Sequence, residues 1–201
     1  MKKYLKWIIC FICLIIFIIL GILVLTKNDI YLDSIIYNFI SKYISDDLTY
    51  VIRNLTHIGG AAVVISITVL TLILFKNKKY GIFMSIDLIL ITILQYLLKY
   101  AFLRNRPVDI NLIEETGYSF PSGHSLTAMA FYGFIIYLIY TSKLSKKSKS
   151  IFITLFSILI LITGLSRVYL GVHFFTDVVG AFSFSLAFLI IYTHVIKERI
   201  R

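Results

Sequence analysis

The sequence predicts an all-α integral membrane bundle of six transmembrane helices, with an extracytoplasmic amphipathic helix between the first two spans. Three observations predict it. Of 201 residues, 59% are hydrophobic and only 15% charged, where a soluble domain carries about 25% charged residues; the mean hydropathy is +0.92. Six apolar runs reach or approach the roughly 20 residues that a bilayer requires. The basic residues collect in alternate connections between those runs. The spans leave no room for a separate soluble domain, so residues 1–201 read as one membrane-embedded unit.

The first span, 7–26, contains no charge and follows a basic start, Met1-Lys2-Lys3-Tyr4-Leu5-Lys6. That start resembles a signal peptide. Gly21-Ile22-Leu23-Val24-Leu25 is too bulky for a cleavage site, so the segment is read as an uncleaved anchor. The further spans are 59–75, 80–101, 124–140, 151–165 and 174–195. With a cytoplasmic N-terminus, the inside segments are 1–6, 76–79, 141–150 and 197–201. They hold 13 of the 20 basic residues and a single acid, Glu198. The positive-inside rule then places both termini in the cytoplasm. The excess of +10 therefore sets orientation and does not describe a nucleic-acid partner.

Residues 27–58 form the long outer connection. Between Ile30 and Ile44 the polar residues Asp33, Ser34, Asn38, Ser41 and Lys42 recur at helical spacing among apolar ones. An amphipathic helix on the outer leaflet fits this pattern, as does a helix that packs on the end of the bundle.

Seven basic residues lie outside, against the trend. Lys27, Lys42 and Arg53 read as solvated surface. Lys99, Arg104, Arg106 and Arg167 instead fall at span ends beside His124 and His173. They belong to three patterns: Lys99-Tyr-Ala-Phe-Leu-Arg-Asn-Arg106-Pro107, Pro121-Ser122-Gly123-His124, and Ser166-Arg167-Val-Tyr-Leu-Gly-Val-His173-Phe-Phe-Thr-Asp177. By the alternation of spans all three lie on one face.

The tetrapeptide opens a helix, whose unpaired N–H groups and dipole attract anions. Gly123 would let an anion approach the backbone, and Ser122 adds a hydroxyl. His173 and Asp177 are four residues apart and share a helical face. Asp177 could take the Nδ1 proton and leave Nε2 to attack. Lys99, Arg106 and Arg167 supply the cations that phosphoryl transfer requires, Arg by its two-pronged guanidinium. Pro107 biases Arg106 toward extended backbone in a loop.

Together these residues resemble the three-part signature of the type 2 phosphatidic acid phosphatase superfamily, which includes vanadium haloperoxidases. All three parts are present in order from Lys99 to Asp177; the first 98 residues resemble the membrane branch in architecture only. The resemblance implies that His173 is a nucleophile that forms phosphohistidine, that Asp177 orients it, and that His124 protonates the leaving oxygen. Lys99, Arg106, Ser122, Gly123 and Arg167 would bind the phosphate. No cofactor and no metal is implied; the spans contain no carboxylate cluster, and away from their ends only Asp87. The implied substrate is a lipid phosphate at the extracytoplasmic surface: phosphatidic acid, phosphatidylglycerol phosphate or undecaprenyl diphosphate, with recycling of a polyprenyl carrier preferred. The alternatives are a flippase that binds the lipid without chemistry, and a phosphotransferase. A haloperoxidase is disfavoured, since those relatives are soluble and longer.

Other residues receive plainer readings. Cys10 and Cys13 lie inside the first span and read as packing. Asp87 reads as a buried hydrogen-bonded or boundary carboxylate, and His57 as a helix start or an entrance residue. Arg104 is expected at a second phosphate or at lipid headgroups, His194 at the cytoplasmic interface, and Lys143 to Lys149 in a loop facing anionic lipids.

Overall fold

The computed structural model describes residues 2–27, 30–108 and 110–200, with side chains from residue 4 onward. The side chains of Lys2 and Lys3, and Arg201, which entered the inside charge count, lie outside the described residues. Eight α-helices are found there and no strand: α1 Lys2–Thr26, α2 Tyr31–Ile40, α3 Asp46–Thr56, α4 Ala61–Leu74, α5 Lys79–Phe102, α6 Gly123–Thr141, α7 Lys146–Tyr169 and α8 Phe175–Ile200.

Helix α6 is the hub and packs on α5, α7 and α8. Its Ala128, Phe131, Tyr132 and Phe134 meet Met84 and Leu88 of α5, Ile160 of α7, and Leu189, Tyr192 and Ile196 of α8. Helix α1 lies along α8, where Cys10 and Cys13 pack against Ala187 as free thiols. The outward faces of α1, α4, α5 and α7 remain apolar and uncovered, as at Phe11, Ile73, Ile89 and Leu161. Such a belt fits a lipid solvent and not water. Five helices are long and apolar enough to cross a membrane, and a sixth span arises when α3 and α4 are taken together.

That sixth span departs from expectation. The run 59–75 was expected to be a simple span. Helix α4 has only 14 residues, about 21 Å, against a hydrocarbon core of about 30 Å. It reaches spanning length only with α3 and the 3-10 turn His57–Gly59, across a bend of 44°. Gly59-Gly60 makes the break. The joint is held by the Tyr132 hydroxyl, which donates to the Ile58 carbonyl at 2.6 Å.

The connection between α1 and α4 holds two helices where one was expected. Helix α2 ends in a 3-10 turn, Ser41–Tyr43, and Ser45 then starts α3 by accepting the Leu48 N–H. Asp46 and Asp47 in the first turn of α3 and Arg53 in the last complement its dipole. Asp33, expected on a polar outer face, is 5% exposed and turned into the bundle. Helices α7 and α8 also run past the spans read for them, because the charged ends at Lys146, Arg167 and Lys197 continue the helix. Asp87 is fully buried near Tyr192, and its carboxylate oxygens have no hydrogen-bond partner among the described residues. That corrects the hydrogen-bonded reading. His194 meets Lys6 and the edge of Trp7.

Candidate active site

Four helix ends meet at one end of the bundle: α5 and α7 stop there, and α6 and α8 begin. Helix α5 ends at Leu103 with φ +50°, which turns the chain into the loop carrying Arg104, Arg106 and Glu115. Helix α7 ends at Tyr169, and Gly171 at φ +67° reverses the chain toward His173. A side chain at Gly171 would collide with the Ile110 carbonyl of the facing loop. The two loops are stitched by the Leu112 N–H donating to the Leu170 carbonyl at 2.9 Å.

His173 is 3% exposed. Its Nδ1 lies 3.3 Å from Asp177 Oδ2, and its Nε2 lies 3.1 Å from Arg106 Nη1. A guanidinium can only donate, so Nε2 carries the lone pair and Nδ1 the proton that faces Asp177. Burial pulls the imidazole down to about 4, against the opposing pull of Asp177, with Arg106 and Arg167 lowering it further. His173 is thus neutral at physiological pH.

Arg106 is held before any ligand arrives. Its Nε donates to the Gly117 carbonyl at 3.0 Å, Nη2 to Thr116 at 2.9 Å and Nη1 to Val172 at 2.8 Å. Arg167, 1% exposed, donates to the Thr56 hydroxyl at 3.0 Å and pairs with Glu115; its Nε has no partner among the described residues. Glu115 also lies 3.7 Å from Arg106. Burial would raise the Glu115 carboxyl, yet Arg167 and the neighbouring cations win and hold it below its ordinary value.

A cavity of about 460 Å³ opens over this cluster. Lys99, Arg106, Gly123, His124 and His173 line its polar end, together with Glu115. Lys99 donates to the Tyr118 carbonyl at 2.6 Å. A Cβ at Gly123 would press on the Gln95 amide at 2.8 Å, so a larger residue at the start of α6 would have to push that side chain aside. The cavity continues between α4 and α5 past Val64, Ile65 and Leu88.

Of the eight residues expected at the site, five therefore line the cavity. Asp177 stands behind His173, and Arg167 behind Glu115. The Ser122 hydroxyl accepts from Ser125 at 2.9 Å, and the Ser122 N–H donates to the Asp177 carbonyl at 3.2 Å. Arg104 is neither at a second phosphate position nor at the headgroups: it turns into the protein and contacts Asp177, Thr176 and Asp33. His57 is exposed in its 3-10 turn, outside the cavity lining. Glu115, Thr56 and Asp33 escaped sequence reasoning. Only Glu115 left a signal, as an acid in the short loop that follows Arg106. Among the described residues, no three His, Cys, Asp or Glu side chains gather to hold a metal ion.

A helical membrane bundle whose span ends gather a histidine–aspartate pair and three cations, with His173, Lys99 and Arg106 lining a cavity, has the make-up of a membrane phosphatase. The chain belongs to the PAP2 superfamily, whose profile matches residues 80–201. It is 34% identical over 144 residues to phosphatidylglycerophosphatase B of Bacillus subtilis (strain 168), covering 69% of this chain and 70% of that one. It is 29% identical over 190 residues to an undecaprenyl-diphosphatase of Sulfolobus acidocaldarius, covering 90% and 85%. The crystal structure of a transmembrane PAP2-type phosphatidylglycerolphosphate phosphatase from Bacillus subtilis superposes with a TM-score of 0.86 at 28% identity, over 96% of this chain and 97% of that one. Aquifex aeolicus LpxE shares the fold, with a TM-score of 0.65 at 22% identity, over 82% and 97%. The chain is thus a multi-pass membrane protein of a family of lipid phosphatases.

Proposed function

We propose that this chain is a metal-independent lipid phosphatase, one unit over residues 1–201, that hydrolyses a phosphate monoester or diphosphate at the extracytoplasmic face through a phosphohistidine at His173. The observation that carries this reading is the His173 imidazole, held by Asp177 at Nδ1 and Arg106 at Nε2 at the wall of a cavity that is cationic at one end and apolar at the other.

The residues take the following roles. The phosphoryl oxygens displace Glu115 and bind Lys99, Arg106 and Arg167, with the Ser122 hydroxyl and Gly123 amide at the start of α6. Nε2 attacks phosphorus as the bond to the leaving oxygen breaks, and His124 gives that oxygen its proton, a role worth about 10²–10⁴ in rate. Asp177 offsets the positive charge that forms on the imidazole. Water then attacks the phosphorus and passes a proton to His124. The N–P bond breaks, which releases inorganic phosphate and restores neutral His173.

The apolar path past Val64 and Ile65 supports a lipid substrate, because Ile65 is 55% exposed on the membrane-facing surface. An acyl or prenyl chain can lie there without leaving the bilayer. The relatives bear the names of a phosphatidylglycerophosphatase and an undecaprenyl-diphosphatase, so phosphatidylglycerol phosphate and undecaprenyl diphosphate lead the candidates, with phosphatidic acid third. Phosphate release from this panel by the detergent-solubilised chain tests the reading. One member should be turned over, vanadate should inhibit, a chelator should have no effect, and His173→Ala should be silent. Activity removed by a chelator would refute metal independence.

A further inference from the structure

We infer that Arg104 and Asp33 form a charge clamp that fixes Asp177 on His173, so that helix α2 positions the nucleophile of the reaction. The inference rests on the assignment of His173 above. Arg104 falls between Lys99 and Arg106 in sequence, but its guanidinium points away from the cavity. Nη1 donates to Asp177 Oδ1 at 2.6 Å and to the Thr176 hydroxyl at 2.8 Å. Nη2 donates to Asp33 Oδ2 at 2.8 Å. Asp33 in turn accepts the Thr176 N–H at 2.8 Å and the Thr176 hydroxyl at 2.8 Å. The guanidinium lies over the Phe174 ring, 4.0 Å from its centroid. The Arg104, Asp33 and Asp177 side chains are 8%, 4% and 0% exposed.

Every carboxylate oxygen in this array is used. Asp177 Oδ2 takes His173 Nδ1 and the Phe174 N–H at 2.9 Å; Oδ1 belongs to Arg104. A carboxylate bound on one oxygen could rotate and present either to the imidazole. Tethered on both, it presents only Oδ2. Two acids and one arginine of this kind are expensive to bury unless each is paired. Asp33 lies on a helix outside residues 80–201, the part that matches the family profile. Arg104 is therefore a positioning residue, and α2 supplies its counter-ion.

A purely structural clamp and a positioning clamp differ in pH behaviour. The charges facing His173 are Arg106 from the loop, Arg167 from α7, His124 from α6 and Asp177 from α8, with Lys99 of α5 and Glu115 around the cavity; Arg104 and Asp33 face it through Asp177. Removing the Arg104 charge favours protonation of the imidazole, so the acid limb of kcat/KM moves to higher pH. Removing the Asp33 charge leaves Arg104 unscreened and moves the limb to lower pH.

The experiment is phosphate release by the full chain in detergent, across pH, on whichever lipid phosphate the wild type turns over. Arg104→Gln should lower kcat on the order of tenfold or more, the size of a lost charged hydrogen bond, with KM within about twofold and the limb shifted up. Arg104→Lys should recover part of kcat. Asp33→Asn, nearly isosteric, should shift the limb down. Variants that lose activity with the limb unmoved, or that change KM alone, overturn the inference. If Arg104→Gln yields no monodisperse protein, the direction of the Asp33→Asn shift decides by itself. Phosphate release that survives His173→Ala would instead overturn the assignment of the nucleophile, and that result is read independently of either clamp variant.

Discussion

At His173 a buried imidazole meets one acid and one arginine, and that arrangement fixes its protonation. The ring is neutral because burial disfavours the cation, and its lone pair is on Nε2 because Arg106 can only donate there. Its proton affinity is depressed from the ordinary value of about 6.5 to about 4. The nucleophilic form is thus present above about pH 4 and is lost as pH falls through that value. The sign for stability is the same: between those two values the unfolded chain binds the extra proton, so acidification destabilises the fold. Phosphoenzyme formation should hold its rate well below pH 6.5, and an acid limb at or above 6.5 in stopped-time assays would contradict this environment. Glu115 makes a second prediction. Its carboxylate sits on Arg106 and Arg167, where the phosphoryl oxygens are proposed to bind. Glu115→Gln should tighten inhibition by vanadate on the order of tenfold, the worth of one charged contact; an unchanged inhibition constant would mean that the carboxylate does not compete.

Among the elements, the bent α3–α4 pair matters most to the cavity, since Gly59, Gly60 and Val64 line one wall. The joint depends on the Tyr132 hydroxyl at the Ile58 carbonyl and on Thr56, which receives both Ser166 and Arg167. Tyr132→Phe removes the partner of that half-buried carbonyl, a loss of about 0.5–1.5 kcal/mol. Thermal unfolding in detergent should shift down accordingly, and KM for the lipid should rise more than kcat falls. The sequence exposed much of this level and missed some of it for identifiable reasons. Lys99, Arg106, Arg167 and the two histidines stand out because they break a charge pattern and fall at span ends. Arg104 was visible but its target was not: Asp33 is 71 residues away in the chain. Thr56 is 111 residues from Arg167, and Glu115 is 52 from it. Nothing local to those residues announces such partners. Asp33 in particular sits in a polar–apolar rhythm that reads equally as an exposed face. The break at Gly59-Gly60 was likewise hidden inside an apolar run that looked continuous.

At the scale of the whole molecule, charge and hydropathy do different work. The apolar belt on α1, α4, α5 and α7 calls for lipid, whereas Lys76, Lys78 and Lys79 and the three other basic segments set the proposed orientation. In a background with Cys10 and Cys13 replaced by Ala, Asn77→Cys should react with an impermeant thiol reagent only from the cytoplasmic side, and Asp47→Cys, exposed at the start of α3, only from outside. The reverse pattern would invert the proposed topology and put the cavity on the other face. The central claim remains the phosphorylated histidine, and it can be observed directly. The protein, mixed with its ³²P-labelled lipid phosphate and quenched in alkali within the turnover time, should carry an acid-labile, alkali-stable label that is absent in His173→Ala. Turnover with no trapped label in the wild type, or a label that persists in His173→Ala, would contradict it.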